Sequence, residues 1–344
     1  VFVWIVLLGT GWRDRDGRQA VWWNLPERKC YILGATFWPQ DFMLLAWILI
    51  IAAYGLFTVT NYAGRLWCGY ACPQTSWTFI FMWIEEKVEG TRNARMKLDK
   101  QPLSAEKVRK KATKHILWAI IALWSGMTFV GYFTPIRDLV PDYFTLSANG
   151  WALFWVTFIG FMTYMNAGWL REQVCIYMCP YARFQSVMYD SDTYAVSYDF
   201  NRGEPRGFRN KKQTKEEQDA LGDCVDCSLC VQVCPVGIDI RDGLQYQCIA
   251  CGLCIDACDS VMDKIDKPRG LIRYATEEEL KGGKTHFLRP RLVGYFTVLL
   301  IMITAFSYVL LTRTPFKLEI ERGRGSLYQL TVNDTITHGY NLKL

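Results

Sequence analysis

"GDCVDCSLCVQVCPVGIDIRDGLQYQCIACGLCIDACDSVMDKI", residues 222–265, sets eight cysteines in two runs of one spacing, C-x2-C-x2-C-x3-C. The first run is Cys224, Cys227, Cys230 and Cys234; the second is Cys248, Cys251, Cys254 and Cys258. Each iron of a cubane 4Fe–4S cluster takes one thiolate, so a cluster needs four cysteines. Gaps of two residues wrap a loop around three corners of one cube, and the fourth cysteine, after a longer gap, serves the other cube. The expected sets are therefore crossed. Cys224, Cys227, Cys230 and Cys258 form one; Cys248, Cys251, Cys254 and Cys234 form the other. Pro235 follows the fourth cysteine of the first run, whereas Asp259 stands at that place in the second. The ligand count is unaffected.

Structural zinc asks for one four-ligand set with a long gap between its two pairs, which is not this spacing. Disulfides are disfavoured in a reducing compartment, where the charge pattern below places this segment. The segment reads as an α+β bacterial two-cluster ferredoxin domain. Such a module holds and passes single electrons, so the chemistry is redox.

The rest of the 344 residues is organised for a membrane. Charged residues make up 21% of the chain, yet they lie almost wholly outside a few apolar blocks. The blocks 42–60, 115–134, 151–170 and 292–311 are each long enough for about 30 Å of hydrocarbon, which takes roughly 20 residues. "VFVWIVLLGT" (1–10) reads as the back half of another spanning helix. The chain thus reads as truncated at its start, and its end at "GYNLKL" reads as truncated too. Fourteen Trp and eighteen Tyr suit interfacial aromatic belts.

The expected fold is an α-helical membrane protein of about five transmembrane helices, the first partial, with the ferredoxin domain inserted before the last. The divisions are 1–60, the first two helices; 61–113, a loop with an interfacial helix; and 114–170, the third and fourth helices. They continue with 171–220, a linker; 221–270, the ferredoxin domain; 271–291, a second linker; 292–311, the last helix; and 312–344, a strand-forming tail.

Basic residues assign the sides. Connections 61–113 and 171–291 carry 10 and 17 Lys and Arg, against 5, 1 and 5 in 11–41, 135–150 and 312–344. Under the positive-inside rule the first two face the cytoplasm and the other three face outward. In a bacterium this means the inner membrane, with a periplasmic C-terminus.

Two further cysteine pairs lie at cytoplasmic ends of apolar blocks: "RLWCGYACPQTSW" (65–77) and "QVCIYMCPYAR" (173–183). Each is C-x-x-x-C-P. If these segments are helical, Cys68 and Cys72 share a face, as do Cys175 and Cys179. Pro73 and Pro180 suit a first helical turn or a break, and Gly69 permits bending. One such pair reads equally well as small buried hydrophobes. Two, each followed by Pro at the same membrane face, read as a four-thiolate site. Soft ligands of this kind take Cu(I), a third iron–sulfur cluster, or act as redox-active thiols. Met165 and Met178 are nearby soft donors that read as gap filler, and Cys30 reads as structural.

Other chemistries are disfavoured. Membrane haems lean on axial His, and His115, His286 and His338 all lie outside the deep spans. Glu85, Glu86, Lys87 and Glu89 after "SWTFIFMWI" read as an amphipathic interfacial helix. "KVRKKATK" (107–114) reads as a membrane-flanking anchor against lipid, not a nucleic-acid patch. No phosphate loop, dinucleotide fingerprint or catalytic triad pattern occurs.

Taken together, "WPQDF", "AGRLWCGYACPQTSWT", "EGTRNARMKLD", "REQVCIYMCPYARFQ", "RGEPRG", "CIACGLCIDACDSVMDKI" and "PRGLIRY" resemble the cytochrome c oxidase accessory proteins of the CcoG/FixG/RdxA type. The resemblance runs through nearly the whole chain. It implies a membrane polyferredoxin that assists assembly of a cbb3-type cytochrome c oxidase by reducing Cu(II) to Cu(I). The implied partners are a cytoplasmic electron donor and oxidase subunits or copper chaperones. It implies copper at Cys68, Cys72, Cys175 and Cys179, and an external immunoglobulin-like β-sandwich begun by the alternating tail 317–344. Two other readings stand beside it: a ferredoxin-type subunit passing electrons between quinol and a respiratory reductase, and a non-catalytic assembly scaffold.

Overall fold

The structure is a computed structural model. It describes residues 6, 8–15, 17–209 and 220–312, and the strands Glu319–Arg322, Gln329–Leu330, Ile336–Thr337 and Tyr340–Lys343. The chain forms two compact units, 1–297 and 298–344. Most of the expected first helix, 1–5 and residue 7, lies outside the described residues; 8–10 are helical.

Among the described residues, three helices are long and apolar enough to cross a membrane. They are α1 (Phe42–Ala63), α5 (Ala105–Gly131) and α10 (Pro290–Leu311). At 1.5 Å per residue, the 22 residues of α1 reach about 33 Å, enough for the hydrocarbon core. The block 151–170 is helical throughout but changes hand-hold midway. Its α-helical part, α7, covers Gly150–Tyr164, and Met165–Leu170 form a π-helical turn. The turn closes with Arg171 N–H donating to Asn166 O at 2.8 Å. Gly168 there lies so close to Trp118 that a Cβ would stand 3.2 Å from its ring.

Between the spans, short helices carry the motif residues: α2 (Leu66–Tyr70), α3 (Pro73–Glu89), α4 (Arg92–Lys100), α6 (Ile136–Phe144) and α8 (Pro180–Met188). Helix α5 starts at Ser104, whose hydroxyl caps Lys107 N at 3.2 Å, a usual N-terminal stop for an orphan N–H. It crosses α7 at small residues. A Cβ on Gly126 would stand 3.0 Å from Gly160 N, and backbones meet this closely only where side chains are absent.

Segment 11–41 forms more than a loop. Strands β1 (Asp14–Arg15) and β2 (Arg18–Gln19) pair, and β3 (Val21–Asn24), β4 (Lys29–Ile32) and β5 (Ala35–Phe37) make an antiparallel meander. Buried Gln19 ties them to the bundle, donating to Gly131 O at 2.7 Å and accepting from Ile136 N at 3.1 Å. It thereby satisfies a carbonyl freed at the end of α5.

The helix expected at the interface is α3, and its charged end is more enclosed than an exposed polar face would be. Helix α3 buries Phe81, Ile84, Glu85 and Glu89 on its side toward α5. Phe81 stacks on Trp118 at 5.2 Å, whose indole donates to Phe81 O at 3.0 Å. The two glutamates are buried because cations follow them in. Glu85 meets Arg95 at 2.5 Å, Arg171 at 3.1 Å and Lys114 at 3.4 Å; Glu89 meets Lys114 at 2.8 Å and Lys111 at 3.2 Å. The basic run 107–114 is thus partly internal.

The ferredoxin unit is closed by β6 (Ala195–Tyr198) pairing antiparallel with β7 (Ile272–Ala275), in the register Ala195↔Ala275 to Tyr198↔Ile272. Val196, Tyr198, Ile240, Met262, Leu271 and Ile272 form its core, together with helix α9 (Leu253–Lys264).

In the second unit, Glu319–Arg322 pairs with Tyr340–Lys343 and Gln329–Leu330 with Ile336–Thr337, both antiparallel. The expected strands of the tail are present at these places. Its remaining residues lie outside those described.

Candidate metal centres

Each cysteine run begins as a loop that alternates the hand of its backbone. Asp226 and Ser228 in the first run, and Ala250 and Gly252 in the second, have φ of 53°, 54°, 52° and 77°. Three of these carry a Cβ in the left-handed region, at a cost of roughly 1–2 kcal/mol each. Successive N–H groups in such turns converge into an anion-binding concavity. In the second run Ala250 N–H donates to Cys248 Sγ at 3.4 Å. The loops therefore fit an anionic thiolate-bound cluster, and the strain has a function to explain it.

The cavities follow the crossed pattern. One is lined by Cys224, Cys227, Cys230 and Cys258. The other is lined by Cys234, Cys248, Cys251 and Cys254, with Cys230 also on its border. The fourth cysteine of each run thus sits with the other run's triplet, Cys258 being carried there on α9. Pro is missing after Cys258, and Asp259 uses its place to accept from Gly270 N at 2.9 Å.

Burial pushes the Cys254 and Cys258 thiols up to about 12 and Cys251 to about 11. Metal ligation needs thiolates, so loading these sites releases protons. Arg241, which the spacing did not single out, is buried beside the first set. It meets Asp226 at 2.5 Å and Asp239 at 2.7 Å, clamping the strained loop.

At the membrane edge each C-x-x-x-C-P is broken rather than one helix. Cys68 lies on α2, the chain turns at Ala71, and Cys72 is the N-cap of α3. Cys175 lies in a π-helical turn, Val174–Met178, and Cys179 is the N-cap of α8. Pro73 and Pro180 both occupy first helical positions, where the missing N–H costs nothing. The shared-face expectation is corrected to a pair of matched helix starts.

All four cysteines are half-buried and free. Their charges bear on one another: burial first, then Arg65, Cys72 and Cys175, set the Cys68 thiol, which is pushed up to about 12. Cys175 is pushed up to about 11 by burial and then by Cys72 and Cys179. The pairs are joined physically. Cys68 Sγ donates to Oε1 of fully buried Gln185 on α8 at 3.3 Å. Buried Arg65 donates to the carbonyl of Ala182 on the same helix. Gly64, at φ +54°, ends α1, and a Cβ there would stand 2.5 Å from the Tyr189 ring.

Among the described residues, no three His, Cys, Asp or Glu side chains close tightly around a single metal ion. Met178 is exposed and Cys30 half-buried in β4. His115 hydrogen-bonds Tyr164 at 2.7 Å.

Sequence reasoning missed Arg65, Gln185, Tyr189 and Arg241. Only Arg65, a lone cation between an apolar block and a cysteine pair, left a local signal.

Two family models match. One, a 4Fe-4S dicluster domain, covers residues 170–277. The other, a 4Fe-4S binding domain, covers 43–88 and so includes Cys68 and Cys72. The chain is 38% identical over its full length to the nitrogen fixation protein FixG of Rhizobium meliloti, covering 74% of that protein. It is 42% and 41% identical to the proteins RdxB and RdxA of Cereibacter sphaeroides, over 95% of this chain and 70% of each of theirs. No solved structure matches it.

Proposed function

The chain belongs to the FixG/RdxA/RdxB family of membrane iron–sulfur electron-transfer proteins, and from that premise we propose that it reduces Cu(II) to Cu(I) for assembly of a cbb3-type cytochrome c oxidase. Cys224, Cys227, Cys230 and Cys258 hold one 4Fe–4S cluster; Cys248, Cys251, Cys254 and Cys234 hold the second. Bound there, such clusters supply one-electron storage. Copper is the substrate. Cu(II) takes one electron at Cys68, Cys72, Cys175 and Cys179, and sulfur favours the Cu(I) product.

The observation carrying this reading is the pairing of the two C-x-x-x-C-P segments through Cys68 and Gln185, directly beside the ferredoxin unit. Arg65 tempers the negative charge that converging thiolates build up. The ferredoxin unit faces the cytoplasm, where a soluble donor reduces it, and the strand-forming tail faces the periplasm of a bacterial inner membrane. Lipid surrounds the spans, and oxidase subunits or copper chaperones receive the Cu(I).

A second reading is carried by the family match over 43–88, whose description is 4Fe-4S binding: the four membrane-edge cysteines hold a third cluster. Anaerobic iron and sulfide counting separates the two. About eight irons per chain leaves these cysteines for copper, and about twelve fills them with iron. On the copper reading the purified protein reduces Cu(II), and Cys68→Ala abolishes this with iron content unchanged. Loss of about four irons in Cys68→Ala would sink the copper reading in favour of the third cluster.

A further inference from the structure

Helix α2 is pressed against the loop of the second cysteine run, backbone to backbone. A Cβ on Gly69 would stand 2.7 Å from Ala250 O and 2.9 Å from Ile249 O. Both are peptide oxygens between Cys248 and Cys251, and neither moves without its loop. The neighbouring side chain fastens the same contact. Tyr274 on β7 donates to Ala250 O at 2.6 Å and meets the Tyr70 hydroxyl at 3.1 Å. A Cβ on Gly252 would stand 3.0 Å from that Tyr70 hydroxyl. So the segment Cys68-Gly69-Tyr70 is seated on the segment Cys248 to Gly252, backbone to backbone at Gly69 and through the Tyr70 hydroxyl at Gly252. The first cysteine set has the opposite situation: its Cys227 is exposed.

We propose that the ferredoxin unit is polar, receiving electrons at the exposed Cys227 side and delivering them at the Gly69 contact, and that Gly69 is the positioning residue that sets this contact. The proposal rests on the copper-reductase reading for its acceptor. A cytoplasmic one-electron donor is oxidised, and Cu(II) at the membrane-edge cysteines is reduced to Cu(I), one electron for each copper. Gly69 takes part in neither event. Its missing side chain lets the chain that carries Cys68 approach the loop that carries Cys248 and Cys251.

The prediction is graded, because a Cβ on Gly69 is aimed at two peptide oxygens and each further carbon has to push them away. In the full chain, purified anaerobically, Gly69→Ala and then Gly69→Val push α2 off the loop. Amide hydrogen exchange at 249–253 speeds up, by about tenfold or more for Val, while 224–230 keeps its protection, the pattern of a local opening and not of a global one. The dithionite-reduced protein is then reoxidised with either Cu(II) or ferricyanide. Reoxidation by Cu(II) slows by about tenfold or more in Gly69→Val, within the roughly 100-fold that a misplacement near 1 Å can cost. Ferricyanide, a soluble oxidant that reaches the exposed side, reoxidises variant and wild type alike.

Equal slowing with both oxidants, or unchanged exchange at 249–253, overturns the proposal. If Gly69→Val loses iron, Tyr274→Phe carries the comparison: it removes only the hydroxyl on Ala250 O, and the same selective slowing is expected at smaller size. Wild-type protein that leaves Cu(II) unreduced refutes the copper reading and the delivery step with it; the seating role of Gly69 is then decided by exchange alone.

Discussion

The Cys68 thiol donates to the fully buried amide oxygen of Gln185 at 3.3 Å, so the first C-x-x-x-C-P is held by the helix that follows the second. Segments 117 residues apart become one site through this bond. The Gln185 amide also reaches Thr60 Oγ1 at 3.5 Å, and Thr60 meets Tyr181 at 2.5 Å. A polar strand of contacts therefore runs from the end of α1 to the cysteines.

Replacing Gln185 with Leu strips the partner from the Cys68 thiol in a largely buried region, while Thr60 keeps its bonds to Leu56 O and Tyr181. One unsatisfied buried group costs about 1–3 kcal/mol. The expected result is a lower unfolding midpoint in detergent, with the ferredoxin iron retained. An unchanged midpoint would mean that the two cysteine pairs are held together elsewhere.

The crossed sets predict which variants resemble each other. Cys234→Ser should give the electron paramagnetic resonance spectrum of Cys251→Ser, not that of Cys224→Ser, although Cys234 belongs to the first run. Cys258→Ser should resemble Cys224→Ser. The reason is spatial: Cys234 lines the cavity of the second triplet and Cys258 that of the first. Spectra grouped by run instead of by cavity would refute the assignment.

Glu85 gives a pH dependence. Burial works against its charge, but Arg171, Arg95 and Lys114 outweigh burial and hold the carboxyl below its ordinary value of 4.5. A depressed folded value means that the stabilisation is fully present above pH 4.5 and is lost as pH falls through the folded value. Glu85→Gln should remove that acid dependence. It should also destabilise by about 3–5 kcal/mol, since three cations are left around a neutral amide in a buried site. Unfolding midpoints of both proteins between pH 3 and pH 7, on the order of these carboxylate values, test the sign.

The same glutamates mark where the sequence stops being legible. Cluster ligands are read from spacing because the loop that wraps a cube is local, and α1 and α10 are read because hydrocarbon demands a continuous apolar run. Glu85 and Glu89 follow an aromatic stretch and therefore read as the wet face of an interfacial helix. What buries them is Lys114 and Arg171, which lie far along the chain. The breaks at Ala71 and in the π-helical turns were hidden for a related reason. The i to i+4 rule assumes an unbroken helix, and Pro73 and Pro180 fit a helix start as well as a break within one. Gly69 looked like a residue for bending, but its value is the space it leaves for Ala250, a contact no local pattern encodes.

Arg65 makes the last prediction. Its side chain is buried, donates to Ala182 O, and places a positive charge that bears on Cys68, Cys175 and Cys248. It therefore stands between the membrane-edge cysteines and the second ferredoxin set. Adding an electron on either side adds negative charge, which a nearby cation favours, most strongly where water is excluded. Arg65→Gln should lower the reduction potential read by redox titration, by about 59 mV for each tenfold bias in a one-electron equilibrium. Arg65→Lys keeps the charge but loses the planar fork that reaches Ala182. It should recover most of the potential while unfolding at a lower temperature than wild type. If Arg65→Gln and Arg65→Lys lower the potential equally, the residue acts by holding α8 in place and not by its charge.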